Sequence, residues 1–353
     1  MSNTSTAAMS HQAFTPLVSG FGRYVPPKVV TNADLTRFVA TNDEWITSRT
    51  GIRQRHFSED SVCNADLGFE AAKDTLARTG LPVSAVTHIL YATCTGDAAF
   101  PSTACILAGR LGLSGGVMAV DINAACAGFV YALEMARGLV AASPKAIVLV
   151  VATDILTKRL NWEDRSTCVL FGDGSSAAIV SANAPEQASL QAAPAPATLS
   201  ARLLDISCSS DGSLGDLLRA KGGFSSHPYK LGDTVDEEYF LQMQGREVFK
   251  HAVRSMVEAS KAILEQNRMT IDDIDVVVPH QANQRIIEAV CQRLGVNSEK
   301  IFINVDKMGN TSAASIPLAL SEALDSGAIA AGNRVLVVTF GAGFTWAAAI
   351  LQF

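Results

Sequence analysis

The chain has 353 residues, of which 48% are hydrophobic and 18% are charged, and its formal net charge is -6 at pH 7. This length supports a large core shared by two domains or two fused halves. The negative net charge excludes a protein that attracts nucleic acid through its overall field.

The seven cysteines and the first residues of the chain predict the cellular compartment. The cysteines are odd in number and form no CxxC pair, which argues against a zinc site or a disulfide framework and favours a reducing cytoplasm. Residues 1–13 are mostly small or polar, so we expect a disordered extension without a secretory signal. We find no uninterrupted apolar run of spanning length and expect no membrane contact.

The first part of the chain predicts alternating strands and helices. Strands are expected at 14–22 and 88–93, and helices at 32–39, 64–79 and 102–111. The segment TNDEWITSRTGIRQR also predicts a helix that ends at its glycine.

That helix carries a candidate binding pair. Trp45 and Arg49 lie four residues apart and therefore share one helix face. An aromatic ring beside a guanidinium can sandwich a flat heterocycle such as adenine. The alternative is a partly buried tryptophan covered by the arginine stem.

Residues 117–142 hold the candidate nucleophile. An apolar strand at 117–122 is followed by small residues and then by a helical pattern over 127–141, which places Cys126 at a helix N-terminus. The helix dipole and the free N–H groups there favour a thiolate, so we predict a lowered pKa for Cys126. The alternative is a buried, inert cysteine.

The second part of the chain continues the same alternation. Its predicted elements are strands at 146–152, 203–207, 239–243, 274–278, 301–304, 334–339 and 346–351, and helices at 245–266, 284–294 and 311–323. Residues 212–236 predict a long loop, and the segment 181–201, rich in Ala and Pro, predicts a surface connection. The glycines of GDGSSA fit neither GxGxxG nor the P-loop, so a tight turn explains them better than a nucleotide site.

A weak internal repeat supports two related halves. AIVLVVATD followed by SSAAIV resembles NRVLVVTFGAGFTWAAAIL, since each is an apolar strand, a loop with glycine and an Ala-rich strand. We therefore expect layered α/β halves at 14–185 and 186–353.

Two further residues lie where a strand or loop meets a helix. His280 follows an apolar strand, and Asn310 precedes a helical pattern. A cysteine nucleophile needs a partner that handles protons, and a His and Asn donor pair suits an enolate oxygen. A capping histidine and a turn asparagine are the alternatives, because spacing alone does not bring these residues to Cys126.

Eight motifs in order along the chain carry a family resemblance. They are TNDEWITSRTGIRQRH, AFPSTAC, AACAGFVYAL, DRSTCVLFGDGSSA, GREVFKHAV, VPHQANQRI, GNTSAASIPLAL and FGAGFTWAAAI. The chain resembles β-ketoacyl-[acyl-carrier-protein] synthase III, a condensing enzyme of the thiolase-like superfamily. The resemblance implies a five-layered αβαβα fold of two similar halves.

The resemblance also implies a reaction without a permanently bound cofactor and without a metal. An acyl-CoA would acylate Cys126 and release CoA. His280 and Asn310 would then hold the malonyl thioester of an acyl-carrier protein while CO2 departs, and the resulting carbanion would attack the acyl group. The backbone N–H groups of Cys126 and Ala342 would form the oxyanion hole.

Binding residues are implied by the same resemblance. Those for CoA are Trp45, Arg49, Arg165, Thr41 and Asn283. Those for the carrier protein or for phosphate are Lys250, Arg285 and Arg246. Leu156 would line the acyl pocket, and Phe100 would enter the pocket of a partner subunit, which implies a homodimer.

Departures from the family pattern leave the acyl donor open. Ala342 stands where a glycine is frequent, and we expect its Cβ to restrict the loop. Arg246 stands where a smaller polar residue is common, and residues 221–238 form a longer loop than usual. A condensing enzyme of a specialised secondary pathway is therefore an alternative.

The Cys, His and Asn set and the positions of the cysteines argue against three other function classes. A same-fold acyltransferase that uses an oxygen or nitrogen nucleophile, or a non-catalytic partner subunit, would be expected to lose part of the Cys, His and Asn set. A thiolase would need a second catalytic cysteine near the C-terminus, and none follows Cys291.

Overall fold

The structure is a computed structural model that describes residues 15–183 and 199–353. The extension expected at 1–13 and the boundary expected between residues 185 and 186 lie outside the described residues.

Thirteen strands and nine α-helices make up the described fold. The strands are β1 Leu17–Tyr24, β2 Lys28–Thr31, β3 Gln54–Phe57, β4 His88–Ala92, β5 Met118–Ile122, β6 Ile147–Asp154, β7 Gly174–Ser181, β8 Ala201–Ser210, β9 Leu218–Arg219, β10 Gln242–Met243, β11 Val276–Pro279, β12 Arg334–Gly341 and β13 Thr345–Gln352. The helices are α1 Asn32–Leu35, α2 Asp43–Thr50, α3 Asn64–Thr79, α4 Thr103–Arg110, α5 Gly128–Ala142, α6 Gly245–Gln266, α7 Gln284–Leu294, α8 Val305–Met308 and α9 Ser315–Asp325.

A nine-stranded sheet shows the predicted repeat. Its order is β11-β12-β13-β8-β1-β7-β6-β4-β5, and its two halves meet where β1 pairs with β8 through only two residue pairs. Outward from that junction, the pairings are antiparallel, antiparallel and parallel on both sides. The two halves therefore share one strand arrangement, as the sequence repeat indicates.

Three helix layers alternate with the two halves of the sheet. Helices α5 and α9 share one buried apolar cluster with strands of both halves, so they form the middle layer. The outer face of the first half packs on α3 and α4, and that of the second half packs on α6 and α7. This is the five-layered αβαβα fold of two similar halves that the sequence predicts.

The middle layer explains the composition of α5. Residues Ala125–Ala142 have the length and apolar character of a membrane-spanning segment, but half of this stretch is buried inside the protein. A helix that packs against sheets on both sides needs apolar residues around most of its circumference. Packing in the core thus accounts for its composition.

Several predicted elements were wrong in extent. The strand expected at 239–243 is reduced to the two residues of β10, and the loop expected at 212–236 contains the two residues of β9. Helix α1 covers only Asn32–Leu35 of the expected 32–39. The strand expected at 301–304 is reduced to one bridge between Ile301 and Val277. The helix expected at 311–323 is a 3-10 turn, Ser312–Ala314, followed by α9, with Pro317 in the first turn of α9, where a proline removes no helical hydrogen bond.

Candidate active site

Cys126, His280 and Asn310 line one cavity of about 1020 Å³. Cys126 and His280 follow the carboxyl ends of β5 and β11, and Asn310 precedes the turn into α9. Their exposed fractions are 9%, 3% and 6%, so the cavity shields all three from bulk water. The fold thus brings together three residues that sequence spacing could not connect.

A strained turn presents Cys126. It lies in a 3-10 turn, Ala125–Ala127, where Ala125 has a φ of 45°. The hydroxyl of Thr339 donates to the carbonyl of Cys126 at 3.0 Å, and that of Thr345 donates to the carbonyl of Ala124 at 2.9 Å. Strands of the second half therefore fix a backbone shape that few residues adopt.

The predicted low pKa of Cys126 is wrong for the free protein. Burial raises the pKa of Cys126 to about 12, and the carboxylate of Asp154 adds to this effect. The hydroxyl of Ser312, 3.5 Å from Sγ, acts in the opposite direction but does not compensate. The thiol must therefore lose its proton as it reacts.

His280 is neutral and is held by Ser315. Burial lowers the pKa of His280 to about 4, and its Nδ1 lies 2.5 Å from Oγ of Ser315. That hydroxyl has no other acceptor among the described residues, so we assign it as the donor to Nδ1. The proton of the neutral ring then lies on Nε2, which is buried and has no partner in the described part of the chain. Nε2 is thus a free donor.

Asn310 supplies a second neutral donor. Its Oδ1 accepts from the backbone N–H of Ser312 at 2.9 Å, which fixes the orientation of the amide. Its backbone pairs with Leu170 and Gly172, residues of the first half. The side-chain Nδ2 has no acceptor within residues 15–183 and 199–353, so it can donate to a ligand in the cavity.

A buried carboxylate joins the two halves behind the nucleophile. Oδ1 of Asp154 accepts from the backbone N–H of Cys94 at 2.9 Å and from the hydroxyls of Thr93 and Thr95. Its Oδ2 accepts from the N–H of Ala313 at 3.3 Å. Asp154 therefore ties the end of β4 to the turn that carries Ser312. We did not identify this role from the sequence, because β4, β6 and that turn are far apart along the chain.

The glycine loop after β12 lies against Cys126. A Cβ on Gly341 would lie 2.7 Å from the backbone nitrogen of Cys126, so only glycine permits this approach. Ala342 lines the cavity and has no positive φ. The alanine therefore has a backbone φ that suits a residue with a Cβ, and the restriction of the loop by this Cβ stays a prediction.

Two guanidinium groups lie over the ring of Trp45. The Cζ atoms of Arg49 and Arg165 are 4.7 and 4.3 Å from its ring centroid. Arg165 also donates to the carbonyl of Ala40 at 3.0 Å. Arg165, which the resemblance implies as a CoA-binding residue, thus lies over the Trp45 ring itself, and a flat ligand that stacks on the same face would have to displace it.

The other predicted binding residues differ in burial and in their hydrogen-bond partners. Oγ1 of Thr41 is buried without a partner in the described chain. Asn283 caps α7 and donates to the carbonyl of Arg49 at 3.2 Å, so it joins α7 to α2. The exposed cations Arg246, Lys250 and Arg285 line the cavity.

The two predicted acyl-pocket residues lie in different places. Leu156 is buried and lines the cavity. Phe100 is 87% exposed and is not part of the cavity lining. Within residues 15–183 and 199–353, no group of three His, Cys, Asp or Glu side chains could hold a metal ion.

Comparisons with known proteins give a consistent result. Residues 120–195 match the family model for 3-oxoacyl-[acyl-carrier-protein] synthase III, and residues 264–353 match the model for its C-terminal part. The chain is 55% identical over 337 residues to the β-ketoacyl-[acyl-carrier-protein] synthase III of Nitratidesulfovibrio vulgaris strain DP4, covering 96% of this chain and 98% of that protein.

Solved structures extend the likeness to three dimensions. The 3-oxoacyl-[acyl-carrier-protein] synthase III of Aquifex aeolicus VF5 is 39% identical with a TM-score of 0.82, covering 96% of this chain and 100% of that one. The corresponding enzyme of Thermus thermophilus is 41% identical with a TM-score of 0.82, covering 96% and 98%.

Proposed function

The chain belongs to the β-ketoacyl-[acyl-carrier-protein] synthase III family, and on that premise we propose that it condenses an acyl-CoA with malonyl-acyl-carrier protein through an acyl-Cys126 thioester. The family is one of condensing acyltransferases that start fatty-acid synthesis. The convergence of Cys126, His280 and Asn310 on one shielded cavity is the observation that carries the proposal.

The first step is acyl transfer. Sγ of Cys126 attacks the thioester carbonyl of the acyl-CoA, the C–S bond to CoA breaks, and CoA leaves as a thiol with the proton that Cys126 releases. The N–H groups of Cys126 and Ala342 would hold the carbonyl oxygen, which is supported by the close approach of Gly341 to the backbone of Cys126.

The second step makes the carbon–carbon bond. The malonyl thioester loses CO2, and its electron pair becomes an enolate whose oxygen accepts from Nε2 of His280 and Nδ2 of Asn310. The carbanion attacks the acyl-Cys126 carbonyl, which yields the β-ketoacyl carrier and returns the sulfur as a thiolate that takes up a proton. Decarboxylation supplies the carbanion, so two neutral donors suffice and no strong base is needed.

CoA and the carrier protein would enter the cavity past the exposed cations Arg246, Lys250 and Arg285. Trp45, Arg49 and Arg165 supply an aromatic surface and positive charge for the nucleotide, with Thr41 and Asn283 beside them. Arg246, Lys250 and Arg285 would contact phosphate or the acidic face of the carrier. Exposure of these three cations supports that role.

The assembly is proposed to be a homodimer. β5 is an edge strand of the nine-stranded sheet, and an exposed edge is a template for pairing with a second copy. Phe100 is largely exposed and would enter the acyl pocket of the partner subunit. We also propose halves at 14–185 and 186–353, a cytoplasmic location, and no permanently bound cofactor, membrane or nucleic-acid partner.

The test is intact mass of the protein after incubation with a panel of acyl-CoAs. We expect an acyl adduct on the wild type and none on Cys126→Ala, with Cys168→Ala as the matched buried-cysteine control that still loads. Addition of malonyl-carrier protein should discharge the adduct. Absence of an adduct with every acyl-CoA would refute the proposal.

A further inference from the structure

Arg159 is a cation that lines the cavity beside the acyl-pocket residue Leu156. Both lie in one 3-10 turn, Leu156–Arg159, in which residues three apart point the same way. Both line the cavity that contains Cys126. A side chain that reaches this space from the turn of Leu156 is placed to contact the acyl group.

The charge of Arg159 is not neutralised within the described chain. Its Nη2 donates to the carbonyl of Gly222 at 3.0 Å, but no carboxylate of the described residues lies within ion-pair distance. Arg219, the other arginine of this part of the cavity, pairs with Glu238 at 2.8 Å and Asp216 at 3.5 Å. Asp236 is already engaged by His227 and Tyr229.

Aromatic rings hold the guanidinium of Arg159 in place. Its Cζ lies 4.2 Å from the ring centroid of Tyr239 and 5.7 Å from that of Phe224. Stacking and the bond to Gly222 leave the remaining N–H donors in a fixed fork, which matches a carboxylate. A guanidinium fixed in this way loses little conformational freedom when it binds a ligand.

Apolar residues lie close to Arg159 in the chain, while its half-buried guanidinium faces the rings of Tyr239 and Phe224. Leu156, Leu160 and Phe171 form a buried cluster against which Cys94 and Leu241 pack. A guanidinium that is partly shielded from water and has no carboxylate partner gains from a counter-charge that joins it. A carboxylate brought by the substrate would supply that counter-charge.

We propose that the acyl pocket selects acyl-CoAs whose chain ends in a carboxylate, and that Arg159 determines this specificity. The inference rests on the proposed acylation of Cys126 and adds the substrate class: α,ω-dicarboxylic acyl thioesters. The distal carboxylate pairs with Arg159 while the thioester carbonyl lies at Cys126. In the alternative role, Arg159 only stabilises residues 221–239 through its contacts with Tyr239 and Gly222. Replacing it would then not change the preference between acyl donors.

The experiment compares acyl donors of equal length that differ at the chain end. Rates of Cys126 acylation are measured by intact mass with succinyl-CoA against butyryl-CoA, glutaryl-CoA against pentanoyl-CoA, and adipoyl-CoA against hexanoyl-CoA. In at least one of these pairs, the wild type should be acylated about tenfold or more faster by the carboxylate-ended donor than by the methyl-ended donor. This ratio is expected of one charge-assisted hydrogen-bonded pair. Arg159→Leu should remove that preference and still load the methyl-ended donor, and Arg159→Lys should keep part of it.

A control separates specificity from charge and from folding. Lys158→Leu removes a neighbouring cation whose Nζ binds the carbonyls of Asp60 and Val62, and it should leave every ratio unchanged. If the wild type loads the methyl-ended donors at least as fast in all three pairs, the inference is overturned and the proposed function stands. The inference is also overturned if Arg159→Leu and Arg159→Lys both keep the wild-type ratio between the carboxylate-ended and the methyl-ended donor. A wild type that loads no acyl-CoA overturns both.

Discussion

Oγ of Ser315 lies 2.5 Å from Nδ1 of His280, and this contact decides which ring nitrogen carries the proton. Ser315 is the first residue of α9 and is 1% exposed, so water does not replace it as a donor. Helix α9 therefore does more than fill the middle layer, since its first residue prepares His280 as a donor.

Ser315→Ala should slow the second step and spare the first. Without the serine, the proton of His280 can move to Nδ1 and Nε2 no longer donates to the enolate. We expect kcat for condensation to fall about a hundredfold, the lower end of the loss seen when one oxyanion donor is removed, while acylation of Cys126 continues. Single-turnover kinetics of each step measure the split. Ser321→Ala, a buried serine of the same helix, is the control. Equal losses in both variants would contradict the role of Ser315.

His280 should make the protein sensitive to acid. Its pKa is lowered from 6.5 to about 4 in the folded state, so the unfolded chain binds a proton that the folded chain excludes between these values. The contribution of His280 to the free energy of unfolding is therefore complete above about pH 6.5. It is lost as the pH drops towards 4, and the total loss for this one group is about 3 kcal/mol. Urea denaturation between pH 7 and pH 4 should show a shallower decline for His280→Gln. Parallel declines would mean that other groups dominate.

Cys126 should react slowly at neutral pH. Because burial raises its pKa to about 12, the alkylation rate with iodoacetamide should climb with pH and show no plateau below about pH 10. Ser312→Ala removes the hydrogen bond that lowers this pKa and should slow alkylation further at a given pH. Mass spectrometry of the Cys126 peptide follows the rate. A plateau near neutral pH would show a thiolate and restore the prediction made from the helix N-terminus.

Trp45→Ala should weaken acyl-CoA binding through the nucleotide alone. We expect KM for acyl-CoA to rise by about fivefold to thirtyfold, as loss of a stacked aromatic and its cation contact implies, with kcat little changed. The matched substrate is the acyl-pantetheine, which lacks the nucleotide and should show no change in KM. A similar rise with both substrates would place Trp45 at another part of the ligand.

Gly341→Ala should disturb the backbone of Cys126. The added Cβ would meet the amide nitrogen of Cys126 at 2.7 Å, so the loop or the turn must move. We expect kcat for acylation to fall by about a hundredfold or more, the loss seen when an oxyanion donor is removed. Ala342→Gly keeps every backbone donor and should stay within a few fold of the wild type. Full activity of Gly341→Ala would remove Cys126 and Ala342 as the oxyanion hole.

The sequence predicts the long elements well because their patterns are local. Helices α3, α6 and α7 have the predicted bounds, since each has one apolar face and α3 and α7 end at a glycine in the left-handed conformation. The repeat also indicated two related halves, and the sheet has the same pattern of strand pairing in both.

The electrostatics of the site depend on packing that no local pattern encodes. The helix N-terminus suggested a low pKa for Cys126, but the burial that raises it comes from strands and turns of both halves. Asp154, Ser315 and Arg159 have clear contacts only once the chain is folded. These residues lie in a buried strand end, an Ala-rich helix start and a charged turn. None of these local sequences has a pattern that predicts the contacts.

The most direct test follows CO2 from pre-acylated enzyme. Wild type, His280→Ala and Asn310→Ala are loaded with an acyl-CoA, freed of excess donor, and given carrier protein bearing carboxyl-labelled malonate. We predict one CO2 released for each acyl group transferred to carbon in the wild type, and loaded variants that release CO2 at least about a hundredfold more slowly. Discharge of the acyl group without CO2, or unimpaired CO2 release by both variants, would contradict the condensation chemistry proposed for this site.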